Sequence, residues 1–310
     1  MLVTSAMTIG VALSTVDTGN AVDEVVDQAR RAAAAGIGSV WFGQRFDYDA
    51  ITLAGIVGRE VPELRVGTSA VPVFARHPLL VVSQAQTVQA ATHGRFQLGL
   101  ALGASNLIEG SFGVRYERPV DRVREFLTVA RSLVETGTAD HHGDLITAAP
   151  PLPTTVAGAG TDLPLLVAAM GPQALRASGE LADGILPFLA GPRVLETSIV
   201  PQVTKAASDA GRQPIRVIAF VAAIVTDDVD AGRAAAEEAT AFYDAIPSYQ
   251  RVIASEGLER ASELVLVGSS AEVRAGIQRY RDAGATEVVV TQTNLLGNRV
   301  QQETWDAISQ

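Results

Sequence analysis

The chain has 310 residues, 47% of them hydrophobic and 19% charged, with a formal net charge of −10 and no cysteine. This length suits one large domain or two small ones, and the lack of cysteine excludes disulfides, thiolate metal sites and cysteine nucleophiles, as in a cytoplasmic enzyme. The acidic charge is spread without a basic block, which argues against nucleic-acid binding, and no run of eighteen apolar residues indicates a membrane span.

The first residues, Met1 to Met7, carry no charged n-region of a signal peptide, and Met7 reads as an alternative natural start. From there one phrase recurs: amphipathic helix, glycine, strand. Ala21–Ala35 places Val22, Val25, Val26, Ala29, Ala32 and Ala33 on one helical face, with Asn20 as N-cap. Gly36 and Gly38 follow, then Ser39-Val40-Trp41-Phe42. Pro78–Thr92 is a second such helix, closed by Gly94 before Arg95–Leu100. Leu163–Phe188 is the third and Ala271–Val290 the fourth, with Gly184 and Gly284 in the same place. A glycine after a helix accepts the left-handed conformation cheaply.

Strands are expected near 7–13, 39–43, 64–71, 95–102, 163–169, 185–189, 215–225 and 286–291. Helices are expected near 21–35, 49–58, 78–92, 120–135, 173–182, 193–210, 271–283 and 300–308. Eight of each in alternation predict a single α/β domain over 1–310, a (β/α)8 TIM barrel. A doubly wound open sheet is the alternative, but no Gly-x-Gly-x-x-Gly follows the first strand. Two insertion segments interrupt the alternation. Residues 137–162 are rich in Thr, Pro, Gly and Ala. Residues 227–264 hold an Ala/Glu-rich helix, then Pro247-Ser248-Tyr249 and a second short helix. Such insertions often cover a barrel mouth, although a surface loop or an oligomer contact reads equally well.

In the stretch Leu163–Phe188 an apolar strand meets the turn Met170-Gly171-Pro172 and then a helix from Gln173. A glycine turn at a helix start leaves backbone N–H groups aimed at one spot, which makes an anion site. Pro172 suits the first helical position, where its missing N–H costs nothing. Read alone, the turn is equally an ordinary βα connection.

The site of a (β/α)8 barrel lies at the C-terminal strand ends. Strand 1 ends at Leu13-Ser14-Thr15. Strand 2 ends at Gly43-Gln44-Arg45-Phe46-Asp47-Tyr48-Asp49, where Asp49 reads as a helix cap and Gln44 and Tyr48 as ligand contacts. Strand 3 ends in the small residues Gly67-Thr68-Ser69-Ala70, which let a flat ligand lie near the backbone. Beyond it, Arg76-His77 could bind an anion, or His77 could cap the next helix. Strand 4 ends at Gly103-Ala104-Ser105-Asn106, with Glu109 and Tyr116 beyond. Strand 6 ends at Phe188–Pro192 and strand 8 at Thr291-Gln292-Thr293-Asn294. The adjacent His141-His142 cannot easily share one metal, so no metal site is expected. No paired carboxylates, nucleophile–base set or Gly-x-Ser-x-Gly is present. Small, apolar and hydroxyl residues with one anion turn suit a bound redox cofactor that brings its own chemistry.

Three segments together resemble the luciferase-like superfamily of flavin- and deazaflavin-dependent oxidoreductases, most of all its actinobacterial branch that uses coenzyme F420. They are Gly36–Gln44, Arg76–Pro78 through Thr92–Gly99, and Ala169–Leu175 through Glu180–Gly184. The resemblance spans Met7 to Ile308. It implies a (β/α)8 barrel with the cofactor ring over the strand ends and its phosphate at Gly171-Pro172-Gln173, the donors being the N–H groups of Gly171, Gln173 and Ala174. It implies a bulged third strand with a cis, non-proline peptide, placed by position at Ser69-Ala70. The cofactor-binding set is then Ser14, Gln44, Ser69, Ala70, Val71, Gly103, Ala104, Ala169, Met170, Gly171, Pro172 and Gln173. Tyr48, Glu109 or Tyr116 is the candidate proton donor, with Gln44 orienting. The chain departs from its relatives at Ala101 and Ala104, where they often carry a glycine and a polar or charged residue. It also lacks clear counterparts of the acid and base residues of the sugar-phosphate dehydrogenases in the superfamily. The implied function is hydride transfer between F420 and a small organic substrate in a cytoplasmic homodimer. An FMN-dependent monooxygenase using reduced flavin and oxygen is the alternative, and a catalytically silent barrel a third reading.

Overall fold

The computed structural model describes residues 9–14 and 19–310. The alternative start at Met7, the first residues of the expected strand 7–13 and residues 15–18 lie outside the described residues. In chain order come β1 (Ile9–Leu13), α1 (Ala21–Ala34), β2 (Ser39–Phe42) and α2 (Ala50–Glu60). The third unit is split into β3 (Arg65–Thr68) and β4 (Val71–Pro72) before α3 (Pro78–Ala91). β5 (Phe96–Ala101) leads through α4 (Ser105–Phe112) into α5 (Pro119–Thr136), followed by a hairpin of β6 (His141–His142) and β7 (Thr147–Ala148). β8 (Leu165–Ala168), α6 (Pro172–Leu181) and β9 (Gly184–Ile185) form the next unit. It continues as α7 (Pro192–Val194), a π-helical turn over Leu195–Ile199 and α8 (Val200–Asp209). β10 (Arg216–Val225) precedes α9 (Val229–Asp244), α10 (Pro247–Glu256), a 3-10 turn over Ala261–Leu264 and β11 (Leu266–Gly268). The described chain ends with α11 (Ser270–Asp282), β12 (Glu287–Thr291) and α12 (Asn298–Ile308).

The strands close into a parallel barrel. β1 pairs with β2 and β12, β2 with β3, β3 and β4 with β5, and β5 with β8. β8 pairs with β9, β9 with β10 and β10 with β12, so β10 closes the ring. Its ten residues serve three neighbours in turn: Arg216–Val217 against β9, Ile218–Ala222 against β12 and Ala223–Val225 against β11. β11 was not among the expected strands. It is three residues long and sits on the outer end of β10, so it carries no periodicity of its own.

Local chemistry explains most element boundaries. Asn20 Oδ1 accepts the N–H of Val22 at 3.0 Å, and Asp49 Oδ1 that of Thr52 at 2.9 Å. His77 takes the capping role at α3, its Nδ1 accepting the Leu79 N–H at 3.3 Å. Gly36, Gly94 and Gly284 follow their helices with φ of 88°, 83° and 100°. Gly184 departs from that pattern. Its φ is not left-handed; it lies inside β9, where an added Cβ would meet Leu166 Cδ2 at 2.8 Å and the Arg216 carbonyl oxygen at 2.9 Å. Close strand approach, not helix capping, requires glycine there.

The interior of the barrel is filled separately from the layer between strands and helices. Trp41, Leu166, Leu186, Ile218, Phe220 and Val289 form the inner cluster, with the Trp41 and Phe220 rings edge to face at 5.6 Å. Gly67 makes room for the Trp41 ring, which any Cβ there would overlap. At the N-terminal end of the barrel, Glu287 is buried and accepts from Ser39 Oγ at 3.0 Å and Arg216 Nη2 at 2.8 Å, tying β12 to β2 and β10.

Two segments read as loops carry structure. Residues 105–112 form α4, with Ile108 buried as its anchor and Gly113 ending it at φ 64°. Within 137–162 the β6–β7 hairpin is pinned to α5 by Glu125, which accepts the N–H groups of Leu145 and Ile146 at 3.1 and 2.8 Å.

Candidate active site

The C-terminal strand ends surround a cavity of about 400 Å³. Its floor is made of small residues on neighbouring strands: Gly43, Ser69, Ala70, Ala101 and Ala168. The Ser69–Ala70 peptide is cis, as expected by position, and separates β3 from β4. An added Cβ at Gly43 would sit 3.5 Å from the Ser69 carbonyl oxygen, so the two strand ends meet in van der Waals contact there. Facing it stands an aromatic wall. Phe188 follows β9, while Tyr243 and Tyr249 come from α9 and α10 of the 227–264 insertion. The Phe188 ring lies 5.1 Å from Tyr243 and 6.2 Å from Tyr249, and the two tyrosines 5.0 Å from each other, all edge to face. Polar groups from the end of β12, Thr291, Gln292 and Asn294, complete the wall.

One carboxylate ties the insertion to the start of α7. Glu256, at the end of α10, accepts the backbone N–H groups of Arg193 and Val194 at 3.1 and 2.8 Å, capping α7 from a distance of sixty residues in sequence. Within the insertion, Asp244 Oδ1 accepts the Ala261 N–H at 2.8 Å.

The anion turn lies at the cavity edge. Met170 lines the cavity, and Gly171 follows as the N-cap of α6 with no side-chain cap. Leu175 makes the first helical bond, to the Gly171 carbonyl at 2.9 Å. Among the described residues the N–H groups of Gly171, Gln173 and Ala174 have no acceptor, and a Cβ on Gly171 would meet nothing within 4 Å. The open turn with three free donors fits a phosphate, and the small-residue floor beside it fits a planar ring. Arg118, Arg124 and Arg176 line an adjoining cavity with Gln173. Arg124 and Arg176 both pair with Glu180, and Arg118 with Asp121 and Asp144, which moderates their charge.

The expected site residues divide accordingly. Ser14, Ser69, Ala70 and Met170 line the mouth, and Gly171, Pro172 and Gln173 form the turn. Val71 and Ala169 are buried behind the floor. Gly103, at φ 78°, accepts the Tyr116 hydroxyl at 3.0 Å, and Ala104 is the N-cap of α4. The four residues expected to do chemistry do not line the mouth cavity. Gln44 is consumed by its own loop: its Nε2 donates to the carbonyls of Arg45 and Tyr48, while its Oε1 accepts from the Ala50 N–H and Arg76 Nη2. Glu109 accepts the Tyr116 N–H, and the Tyr116 ring stacks on Phe74 at 4.7 Å. Tyr48 is half-buried outside the lining, with Arg45 over its ring at 5.9 Å. Arg76 is spoken for by Asp49 at 2.9 Å.

The sequence reading did not assign Phe188, Tyr243, Tyr249, Thr291, Gln292 or Asn294 to the site. The strand-end rule points to Phe188 and to the last three. The two tyrosines carry no such signal, because their place depends on how the insertion folds back.

Among the described residues no group of three His, Cys, Asp or Glu is placed to hold a metal ion, and no helix is long and apolar enough to cross a membrane. The strand ends therefore offer a floor of small residues and, beside it, a turn with three unpaired backbone amides, with few ionisable groups among the described residues. The model of the luciferase-like monooxygenase family matches residues 4–287, and the chain belongs to that family. It is 23% identical to a putative coenzyme F420-dependent oxidoreductase of Mycobacterium tuberculosis, over 83% of this chain and 87% of that one. It is 25% identical to the 5,10-methylenetetrahydromethanopterin reductase of Methanolobus tindarius, over 80% and 76%. The coenzyme F420-dependent tetrahydromethanopterin reductase of Methanopyrus kandleri superposes with a TM-score of 0.82 at 21% identity, over 99% of this chain and 98% of that one.

Proposed function

We propose that this chain is an oxidoreductase that moves a hydride between coenzyme F420 and a small organic substrate. The observation that carries this reading is the small-residue floor at Ser69 and Ala70 joined to the donor turn at Gly171, in a mouth that among the described residues has no charged side chain to run acid–base or hydrolytic chemistry unaided. The F420-dependent relatives named above support the deazaflavin over FMN. When bound, the deazaflavin supplies or accepts the hydride. The chain's own part is to seat the phosphate on the Gly171, Gln173 and Ala174 amides, keep the ring flat over Ser69 and Ala70, and cover the mouth with the 227–264 insertion. Assembly as a homodimer is part of the proposal, supported by the exposed side chains of Phe46, Phe112 and Leu80 on one molecule. A cytoplasmic site is supported by the cysteine-free sequence.

Fluorescence titration of the purified protein with F420 and with FMN tests the reading. Saturable binding of F420 with weak or absent FMN binding is expected. Binding of FMN alone would favour the monooxygenase reading, and binding of neither would remove both.

A further inference from the structure

We infer that the chain carries a second ligand site, outside the mouth, which takes a small organic carboxylate on the guanidinium of Arg122. The site shares no lining residue with the mouth cavity and stands independently of the cofactor reading.

The inference starts from an arginine that lacks an acceptor. Among the described residues every other half-buried guanidinium pairs with a carboxylate or donates to an oxygen, as Arg76 does with Asp49, Arg131 with Asp183 and Arg216 with Glu287. Arg122, on α5, is half-buried and has neither; its Nε is buried without a partner. What holds it is a ring. The guanidinium carbon lies 4.9 Å from the centroid of Phe74, which is buried and stacks on Tyr116 at 4.7 Å. The guanidinium is thus positioned without being neutralised. A cation that has lost part of its water, with no oxygen from the chain in exchange, points to an anion that supplies one.

Arg122 lines a cavity of about 470 Å³ formed with α3 and the loop that leads from β4 into it. The lining defines the ligand. Arg76 faces the same cavity, but Asp49 at 2.9 Å already balances its charge. His77 is engaged at both ring nitrogens, with the Leu79 N–H and with the Thr147 carbonyl at 3.0 Å. No carboxylate side chain lines the cavity, so one unmatched positive charge remains. The planar fork of a guanidinium matches the two oxygens of a carboxylate, and one unmatched charge suits a monoanion. Ala75, Val81 and Val114, with the exposed Leu80 beside them, make the rest of the wall apolar. A short hydrocarbon chain on the carboxylate buries area there that an inorganic anion cannot. The cavity beside Gln173 differs in this respect: its Arg118, Arg124 and Arg176 all have carboxylate partners.

The test titrates the full chain by calorimetry with hexanoate, butyrate, the neutral hexanamide and inorganic phosphate. Hexanoate is expected to bind at least about tenfold more tightly than hexanamide, the scale of a charge-assisted hydrogen bond. It should exceed butyrate by up to about fourfold for each added methylene, and exceed phosphate. Arg122→Gln is expected to weaken hexanoate by about tenfold or more and to leave hexanamide unchanged. Val114→Glu, which puts a carboxylate into the cavity, is expected to weaken hexanoate by another route, so that misfolding of one variant does not decide the matter. Unaltered far-UV circular dichroism and Tm identify the variants that fold. Saturating F420 should leave the hexanoate Kd unchanged, and both variants should bind F420 as the parent does. Hexanoate binding no tighter than hexanamide or phosphate, unaltered hexanoate affinity in a folded variant, or competition between hexanoate and F420 would overturn the inference. No hexanoate binding to the parent protein would overturn it as well; if light scattering then showed Arg122→Gln to dissociate a dimer, a second copy of the chain would be the occupant instead.

Discussion

Gly171 is the residue on which the proposed phosphate seat turns. Its N–H, with those of Gln173 and Ala174, faces open space at the start of α6, and a Cβ there meets nothing. Sterics therefore do not demand glycine; in the proposed site, access to the amides does. Gly171→Asp should fold normally and lose cofactor affinity by roughly 10- to 150-fold, the worth of about 1.5–3 kcal/mol of charge-assisted hydrogen bonding. Titration of F420 fluorescence measures this, and unchanged affinity would remove the turn from the site. Asp49 works through charge instead. Burial raises its carboxyl, but the Thr52 N–H, the Arg76 guanidinium and the Thr52 hydroxyl outweigh that and hold it below the usual carboxylate range. A lowered folded-state value means that its contribution is complete above the unfolded pKa of about 3.9 and fades as pH falls through the depressed value. Asp49→Asn should therefore be less stable than the parent at neutral pH, and the Tm gap should close on acidification below about pH 4. A gap that stays constant across that range would show the carboxylate to be uninvolved.

The element that shapes the mouth is the insertion carrying α9 and α10. It has a satellite core of its own, Leu189, Ile253, Ala261 and Leu264 with Tyr243 and Tyr249 packed against it, separate from the main strand–helix layer. Glu256 is its tie to the barrel, since it caps α7 with both carboxylate oxygens and any Cβ on Gly191 would overlap it. Glu256→Ala should cost about 0.5–2 kcal/mol, the value of a helix cap. The loss should be local: hydrogen exchange should accelerate in α9, α10 and α7 while α2 and α3 remain protected. Uniform acceleration through the whole chain would mean that the insertion unfolds only with the barrel.

At the scale of the whole molecule, the barrel closes only because a few positions on its strands carry no side chain. Gly99 is the tightest, since a Cβ there would overlap the Thr68 carbonyl. The Thr68 hydroxyl bonds both the N–H and the carbonyl of Gly99 at 2.9 Å, fixing β3 against β5 directly below the Ser69–Ala70 floor. Gly99→Ala should cost about 1–3 kcal/mol in urea unfolding, as overpacking does, and should also weaken cofactor binding by shifting the floor. An unchanged midpoint would show that the strands relax apart without penalty.

The alternation of amphipathic helix, glycine and apolar strand determined the (β/α)8 barrel, because each of those signals is local: periodicity, capping and left-handed turns are set within a dozen residues. The glycine turn before α6 was legible for the same reason, being a strand end, a glycine and a Pro-started helix in immediate succession. The chemistry was not. Gln44, Tyr48, Glu109 and Tyr116 stand at the right strand ends in sequence, but the folded loops turn Gln44, Glu109 and Tyr116 to backbone groups and leave Tyr48 outside the cavity lining. Gly184 has the sequence signature of a helix stop, and only the approach of Leu166 and Arg216 reveals its use. Above all, Tyr243 and Tyr249 lie some forty to eighty residues from the Gly171 turn and from strand ends such as Thr291 and Leu186. What brings them over the floor is a long-range contact, Glu256 on the start of α7, and no local pattern in the chain encodes such a contact.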